Sequence, residues 1–258
     1  MKVGEGSVVV LAATAGERSA IAAAMAGAVT EQVAGRTWTR GGVGAHPVVL
    51  VTGGLGAVNT AQALTCALQG VRPAWVLQIG VGGAFPAADL AVGDLAVADT
   101  EYYGDVGVRT AAGWQPAEAL GIPLVECDGV ALYNRFEADA SWVAWAVSRL
   151  HSRAAPGGAR MAVGPFLTVQ ECTGTAVLAA ERYARWQPIC ENMEGAAAAH
   201  ICRLYGVPLV EIRGISNVVE DRRRESWDLP GAADRAQRAA LALLRRSDPN
   251  HAERPWNL

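Results

Sequence analysis

What this sequence lacks narrows its chemistry first. No C-x-x-C pair occurs among Cys66, Cys127, Cys172, Cys190 and Cys202; their number is odd and their spacing wide. That pattern fits reduced, mostly buried thiols in a cytosolic protein and disfavours a disulfide framework or a thiolate zinc site. No H-E-x-x-H spacing joins His46, His151, His200 and His251, so neither a metal nor a cofactor is expected. A basic stripe is also missing. The formal net charge is −3, and the only basic cluster, Arg222–Arg224, is diluted by Glu220 and Asp221. A protein that holds phosphate backbones needs concentrated positive charge; this run reads as a solvated turn, and no nucleic-acid partner is expected.

No signal peptide is evident: Lys2 is followed by Gly-Glu-Gly and then a short apolar run. The stretches Gly41–Val71 and Pro73–Ala88 carry no acidic or basic side chain other than His46. Gly, Thr, Asn, Gln and Pro interrupt both, so neither supplies the roughly 20 continuous apolar residues of a membrane-spanning helix. A cytoplasmic protein without a membrane partner is expected. Internal repeats are absent as well.

What is present points to a globular α/β protein. Hydrophobic residues make up 51% of the 258 positions and charged residues 18%. That length lies at the upper end for one hydrophobic core, and a single domain over 1–258 is the economical reading. Short apolar runs alternate with helical segments. Strands are expected at Ser7–Ala13, Val48–Val51, Trp75–Ile79, Asp94–Ala98, Ala159–Val169 and Pro208–Ile215. Pro165 implies an edge or a bend. Helices are expected at Gly16–Ala28, up to Gln69, at Ala138–Leu150, Glu194–Tyr205 and Gly231–Arg246. Thr100–Pro123 reads as an irregular excursion, and Pro156-Gly157-Gly158 as a turn.

Two glycine clusters, Gly53-Gly54-Leu55-Gly56 and Gly80-Val81-Gly82-Gly83, read as turns at strand ends, where ligands of open α/β sheets bind. Neither completes G-x-G-x-x-G: the sixth position is Asn59 in one and Phe85 in the other. No Walker lysine follows, and no G-x-S-x-G elbow exists. Dinucleotide-binding dehydrogenases, P-loop ATPases and serine hydrolases all lose ground.

The segments GLGAVNTAQAL, LQIGVGGAF, VGDLAVAD and ENMEGAAAAHICRLYGVPLVEIRGISN, in that order, resemble the motif series of the purine nucleoside phosphorylase/nucleosidase superfamily, from about Ser7 to Arg246. The resemblance implies a three-layer α/β/α fold around a mixed sheet partly closed into a barrel. It also implies a homodimer or higher homo-oligomer and a small nucleoside as substrate. Within the superfamily the chain most resembles the futalosine hydrolases, which release hypoxanthine in an alternative menaquinone pathway. GPFLTV (Gly164–Val169), WDLPGA (Trp227–Ala232) and Asn217 carry that likeness.

By this resemblance Glu17 activates the attacking water, Met193 packs under the ribose, Glu194 binds its hydroxyls, and Asn217 engages the departing purine. Gly82 and Gly83 contact the substrate, and Phe166 and Val169 line the base or sugar pocket. Breaking an N-glycosidic bond places positive charge on the sugar and negative charge on the base, so carboxylates near ribose and hydrogen bonds to the base suit the chemistry. Taken alone, Glu17 also reads as a solvated first-turn residue, Glu194 as a helix cap, Met193 as core and Asn217 as a turn residue. Glu191 and Asn192 read as caps.

An amide at 217, in place of the aspartate of adenosine-type nucleosidases, offers a donor to a 6-oxo group and an acceptor to N7–H. Phosphorylases of the superfamily carry an arginine and a hydroxyl before and within the second glycine cluster. Here Gln78 and Val81 stand there, which favours water as nucleophile. Arg18 is the remaining candidate for holding phosphate. Trp227 with an arginine of 222–224 is the candidate pair for a 5′ substituent. An adenosine-type nucleosidase, a 6-oxopurine phosphorylase and a non-catalytic nucleoside binder remain as alternatives.

Overall fold

The computed structural model describes residues 6–127, 129–151 and 160–245. The turn expected at Pro156-Gly157-Gly158 lies outside them. The chain begins with β1 (Val8–Ala12), α1 (Ser19–Ala24), the three strands β2 (Ala26–Val33), β3 (Arg36–Val43) and β4 (His46–Thr52), then α2 (Ala57–Gly70). It continues with β5 (Trp75–Ala84), β6 (Leu95–Tyr103), the hairpin β7 (Gly107–Thr110) and β8 (Gly113–Pro116), a second small pair β9 (Val125–Cys127) and β10 (Val130–Leu132), and β11 (Arg135–Glu137). The remainder is α3 (Ala140–His151), β12 (Met161–Thr168), α4 (Ala176–Trp186), β13 (Cys190–Asn192), α5 (Gly195–Tyr205), β14 (Leu209–Val218) and α6 (Leu229–Leu244).

Ten of these strands form one mixed sheet, ordered β11-β6-β12-β13-β5-β1-β4-β3-β2, with β14 pairing both β5 and β6. That double pairing closes a circuit β5–β14–β6–β12–β13–β5, the barrel expected from the resemblance. Alternate residues of the central strands serve opposite faces. Val8, Val10, Leu50, Leu77 and Ile79 pack with α1, α3 and α6. Val9, Leu11, Val49, Val51 and Val76 pack with α2 and α5. Burial on both faces explains why these strands read as unbroken apolar runs; each buried side chain contributes about 1.5–3 kcal/mol. Among the described residues no helix is long and apolar enough to cross a membrane.

Several local expectations are corrected. The helix expected at Gly16–Ala28 is only α1; the chain leaves it at Met25, and Gly27 takes φ +62° inside an irregular start of β2. Val29, Thr30 and Val33 then pair with β3, so hairpin pairing overrides the helix propensity of the alanine run. The hairpin β2–β3 and helix α4 had no counterpart in the sequence reading. The excursion expected from Thr100 starts later, because β6 runs to Tyr103 before the β7–β8 hairpin. Pro165 is not on an edge: β12 pairs β6 and β13, and the proline sits at a register shift beside Gly164, where a missing N–H is tolerated. All five cysteines are free, but only Cys190 and Cys202 are buried, and Cys172 is exposed.

The second glycine cluster is not a turn. Gly80–Gly83 lies inside β5, pairing β14 along its length and, at Gly83, β13. Its glycines are there for room: a Cβ on Gly80 would lie 2.6 Å from Nη1 of Arg213 and 2.8 Å from Oε1 of Glu17, and one on Gly82 would strike Sγ of Cys190. The first cluster is a true turn, with Gly54 at φ +91° and Gly56 at φ +87°.

Candidate active site

The carboxyl ends of β1 and β5, the start of α5 and the end of β14 converge on a cavity of about 790 Å³. Glu17, Gly82, Gly83, Met193, Glu194 and Asn217 all line it, so the structure gathers six of the eight expected site residues. Phe166 and Val169 are not among its lining residues, and this corrects their expected placement. Phe166 is fully buried with Ala84, Ala98 and Ile215, and Val169 with Phe85 and Leu167. In that stretch the segment that reaches the cavity is Cys172–Thr173, a few residues further along.

Glu17 does not project into solvent as a first-turn residue; it is 7% exposed. Its Oε2 accepts hydrogen bonds from the Thr14 amide (2.9 Å) and hydroxyl (2.8 Å), and its Oε1 accepts one from the Val81 amide (3.0 Å). Those three donors fix the carboxylate between the loop after β1 and the middle of β5. Glycine at 80 leaves the space in which this happens.

Glu194 occupies the N-cap position of α5, yet its side chain accepts no bond from that helix. The capping is done by Asn192, whose Oδ1 accepts from the amides of Glu194 (2.8 Å) and Gly195 (2.7 Å). Glu194 is thereby freed to face the cavity. Its Oε1 accepts from the Gly56 amide (3.0 Å), and its Oε2 from Nη1 of Arg213 (3.0 Å). Gln170 ties the same region together, accepting from the Ala57 amide (2.9 Å) and donating to the Met193 carbonyl (3.0 Å).

Asn217 owes its position to a bulge. Ile215 pairs Gly82 and Asn217 pairs Gly83, so Ser216 is an extra residue on β14, and both it and Asn217 reach the cavity. The amide nitrogen donates to the Val218 carbonyl (3.1 Å), and Oδ1 accepts from the Ser216 hydroxyl (2.8 Å). A carbonyl can only accept, which sets the amide's orientation. One N–H and one lone pair remain for a ligand. Gly83 keeps the space open, since a Cβ there would lie 2.9 Å from Nδ2 of Asn217.

A model of the phosphorylase superfamily matches residues 7–247. The 5′-methylthioadenosine/S-adenosylhomocysteine nucleosidase of Bacillus thuringiensis (strain Al Hakam) is 30% identical over 207 residues, 78% of this chain and 81% of that protein. The chain belongs to the phosphorylase superfamily. Solved structures agree on the fold. The nucleosidase of the same name from Neisseria meningitidis superposes with a TM-score of 0.80 at 21% identity, covering 93% of this chain and 98% of that one. The futalosine hydrolase of Helicobacter pylori strain 26695 gives 0.77 at 20% identity, covering 92% and 97%.

Behind the cavity wall lies one charged residue that the sequence analysis did not single out. Arg213, 1% exposed, donates through Nη1 to Glu194 and to the Val81 carbonyl (3.2 Å), through Nη2 to Oδ1 of Asn192 (3.3 Å), and through Nε to Oε1 of Glu211 (2.9 Å). Burial by itself would lower its pKa, but the charges of Glu211, Glu194 and Glu17 outweigh that and raise it. The available signal was a charged residue inside the apolar strand LVEIRGIS, where a buried charge demands partners. Glu191 also lines the cavity; burial raises its carboxyl, opposed by hydrogen bonds from Thr173 and by Arg182. Gln78 and Arg18 do not face the cavity. Gln78 is wholly buried in β5, and Arg18 donates to the hydroxyls of Thr52 (3.0 Å) and Thr39 (2.5 Å).

Proposed function

We propose that the chain is an N-ribosyl hydrolase that releases a 6-oxopurine, and specifically hypoxanthine from futalosine. One observation carries the base assignment: the bulge at Ser216 sets the Asn217 amide on the cavity wall with a spare donor and a spare acceptor. As the C1′–N9 bond lengthens, negative charge moves onto the base and positive charge onto the ribose. The Asn217 N–H suits the carbonyl at C6, and Oδ1 suits the proton that arrives at N7. Sites built on such pairing reject the wrong analogue by roughly 10⁴-fold or more.

Glu194 accepts hydrogen bonds from the ribose hydroxyls while Arg213 and the Gly56 amide hold it in place. Glu17, steadied by Thr14 and Val81, takes a proton from water as that water attacks C1′. Hydrolysis is favoured over phosphorolysis by the charge around the nucleophile. Two carboxylates face that end of the cavity, Arg213 is engaged by its own partners, and Arg18 is held by threonines. A phosphate dianion there would meet repulsion without a guanidinium fork.

Chromatographic detection of hypoxanthine from futalosine in phosphate-free buffer tests this reading. Turnover of inosine only when phosphate is added would contradict it. A second reading, an adenine-releasing nucleosidase, is favoured by the 30% identity to the Bacillus protein; release of adenine from methylthioadenosine, with futalosine untouched, would establish it instead.

A further inference from the structure

Helix α1 is six residues long and begins without a cap of its own: Arg18, at its N-cap position, offers it no side-chain hydrogen bond. The missing acceptor comes from far along the chain. Gln237, in the middle of α6, accepts through Oε1 from the Ala20 amide at 2.7 Å, one of the donors that a first helical turn leaves without an internal partner. Its Nε2 donates to the Gly16 carbonyl (3.1 Å) and to the Ala233 carbonyl of α6 itself (3.2 Å). The exposed Ser19 hydroxyl also donates to Gly16 (3.3 Å).

Gln237 lines the nucleoside cavity and is 3% exposed, but both of its N–H bonds are engaged by carbonyls, so it has no donor to offer a substrate. What it holds is the backbone on either side of Glu17. Thr14 and Val81 fix the tip of that carboxylate, and Gln237 fixes the segment that carries it. The frame behind Gln237 is firm. Asp228 caps α6, which buries Ala232, Ala236, Ala240 and Leu244, and a Cβ on Gly214 of β14 would strike the Ala232 carbonyl. Ile21 of α1 shares a buried cluster with Leu243 and Leu244. Arg18 ties the same segment to Thr39 of β3 and Thr52 of β4, so loss of Gln237 would shift the loop rather than unfold it.

We propose that Gln237 is a positioning residue for hydrolysis: by tying Gly16 and Ala20 to α6 it sets the distance between the Glu17 carboxylate and the attacking water. The inference rests on the nucleosidase reading, with either purine as the leaving base, since both need a base at Glu17. A general base acts only within hydrogen-bond reach of the proton it takes. A displacement of about 1 Å lowers the rate on the order of 100-fold.

The test is a double-mutant cycle. Gln237→Leu is made in the parent and in Glu17→Gln, and kcat and KM are measured with futalosine or, if adenine is the base released, with methylthioadenosine. In the parent, kcat is expected to fall by about 10- to 100-fold while KM changes by less than about 3-fold. In Glu17→Gln the same substitution should change kcat by less than about 2-fold, because no base remains to be misplaced, whereas the urea midpoint shifts equally in both backgrounds. An equal loss of kcat in both backgrounds would make Gln237 merely structural. An unchanged kcat in the parent, or a change confined to KM, also overturns the proposal; all three results leave the nucleosidase reading standing. Parental kcat in Glu17→Gln alone removes the base and the positioning role together. Should Gln237→Leu not fold, Gln237→Glu repeats the cycle, keeping the acceptor for Ala20 and losing the donors to Gly16 and Ala233. A parent that releases no purine from either nucleoside rejects both the positioning role and the reading beneath it.

Discussion

Arg213 stands between two pairs of buried glutamates, and the pairs behave differently. Glu17 and Glu194 are 7% and 3% exposed, each held by two or more donors, and both reach the nucleoside cavity. Glu101 and Glu211, at 2% and 1%, lie behind them and do not line it. Glu101 accepts from Nδ2 of Asn192 (2.7 Å) and from the Thr168 hydroxyl (2.8 Å). Glu211 uses one oxygen for Arg213, and no N–H or hydroxyl donor reaches its other oxygen. Burial, and then the charge and hydrogen bond of Glu211, hold the Glu101 carboxyl well above its ordinary range. Both effects favour the protonated form of Glu101 beside Glu211. Gly195 makes this packing possible, since a Cβ there would strike both carboxyl groups. The same residue type lines the larger cavity in one pair and, in the other, a separate cavity of about 380 Å³ on the far side of Arg213, where burial favours the protonated form.

The comparison is broken most severely at its hinge. Arg213→Met leaves Glu194 and Glu211 buried without their cation, and should cost about 3–5 kcal/mol in urea unfolding as well as abolishing purine release. A variant of unchanged stability would mean that Arg213 does not bind the two pairs together. On the cavity side, Glu17→Gln should retain the fold and lower kcat by about 10²- to 10⁴-fold, read from released hypoxanthine. Glu194→Gln should lose at least about 10²-fold. Near-parental rates in either would remove that carboxylate from the mechanism.

Asn217→Asp sharpens the comparison by adding a further carboxyl group to a cavity wall that already carries Glu17, Glu191, Glu194 and Asp234. The ratio of kcat/KM for 6-amino over 6-oxo substrates should rise by about 10-fold or more; a constant ratio would contradict the base assignment. The smallest effect belongs to the pair Glu101 and Glu211. Glu101→Gln keeps an acceptor for Asn192 and an N–H for Glu211, and should shift stability by about 1 kcal/mol or less below the usual carboxylate range, where Glu101 is neutral folded and unfolded. Because Glu101 holds its proton to higher pH when folded than when unfolded, its contribution is complete below the usual carboxylate range and declines as pH rises through its folded value. The variant's stability should therefore run flatter than the parent's above about pH 5. Parallel curves would show that Glu101 is ionised.

Glycine illustrates how far local sequence carries the reading. Gly53–Gly56 and Gly80–Gly83 look alike in sequence, yet the first needs positive φ and the second needs absent side chains inside a strand. Steric demand from Arg213, Glu17 and Cys190 made that distinction, and all three lie far away in the chain.

The sequence alone determined the α/β alternation, because period and apolar run length are local properties, and it marked Glu17, Met193, Glu194 and Asn217 through their motifs. Tertiary structure decided the closed circuit of strands and the bulge that turns Asn217 to the cavity, since both depend on pairing between distant strands. It also decided that Phe166 and Val169 are core while Arg213 belongs to the site. Neither burial nor a charge partner is a property of one residue; both appear only when separate strands, helices and loops share one interior.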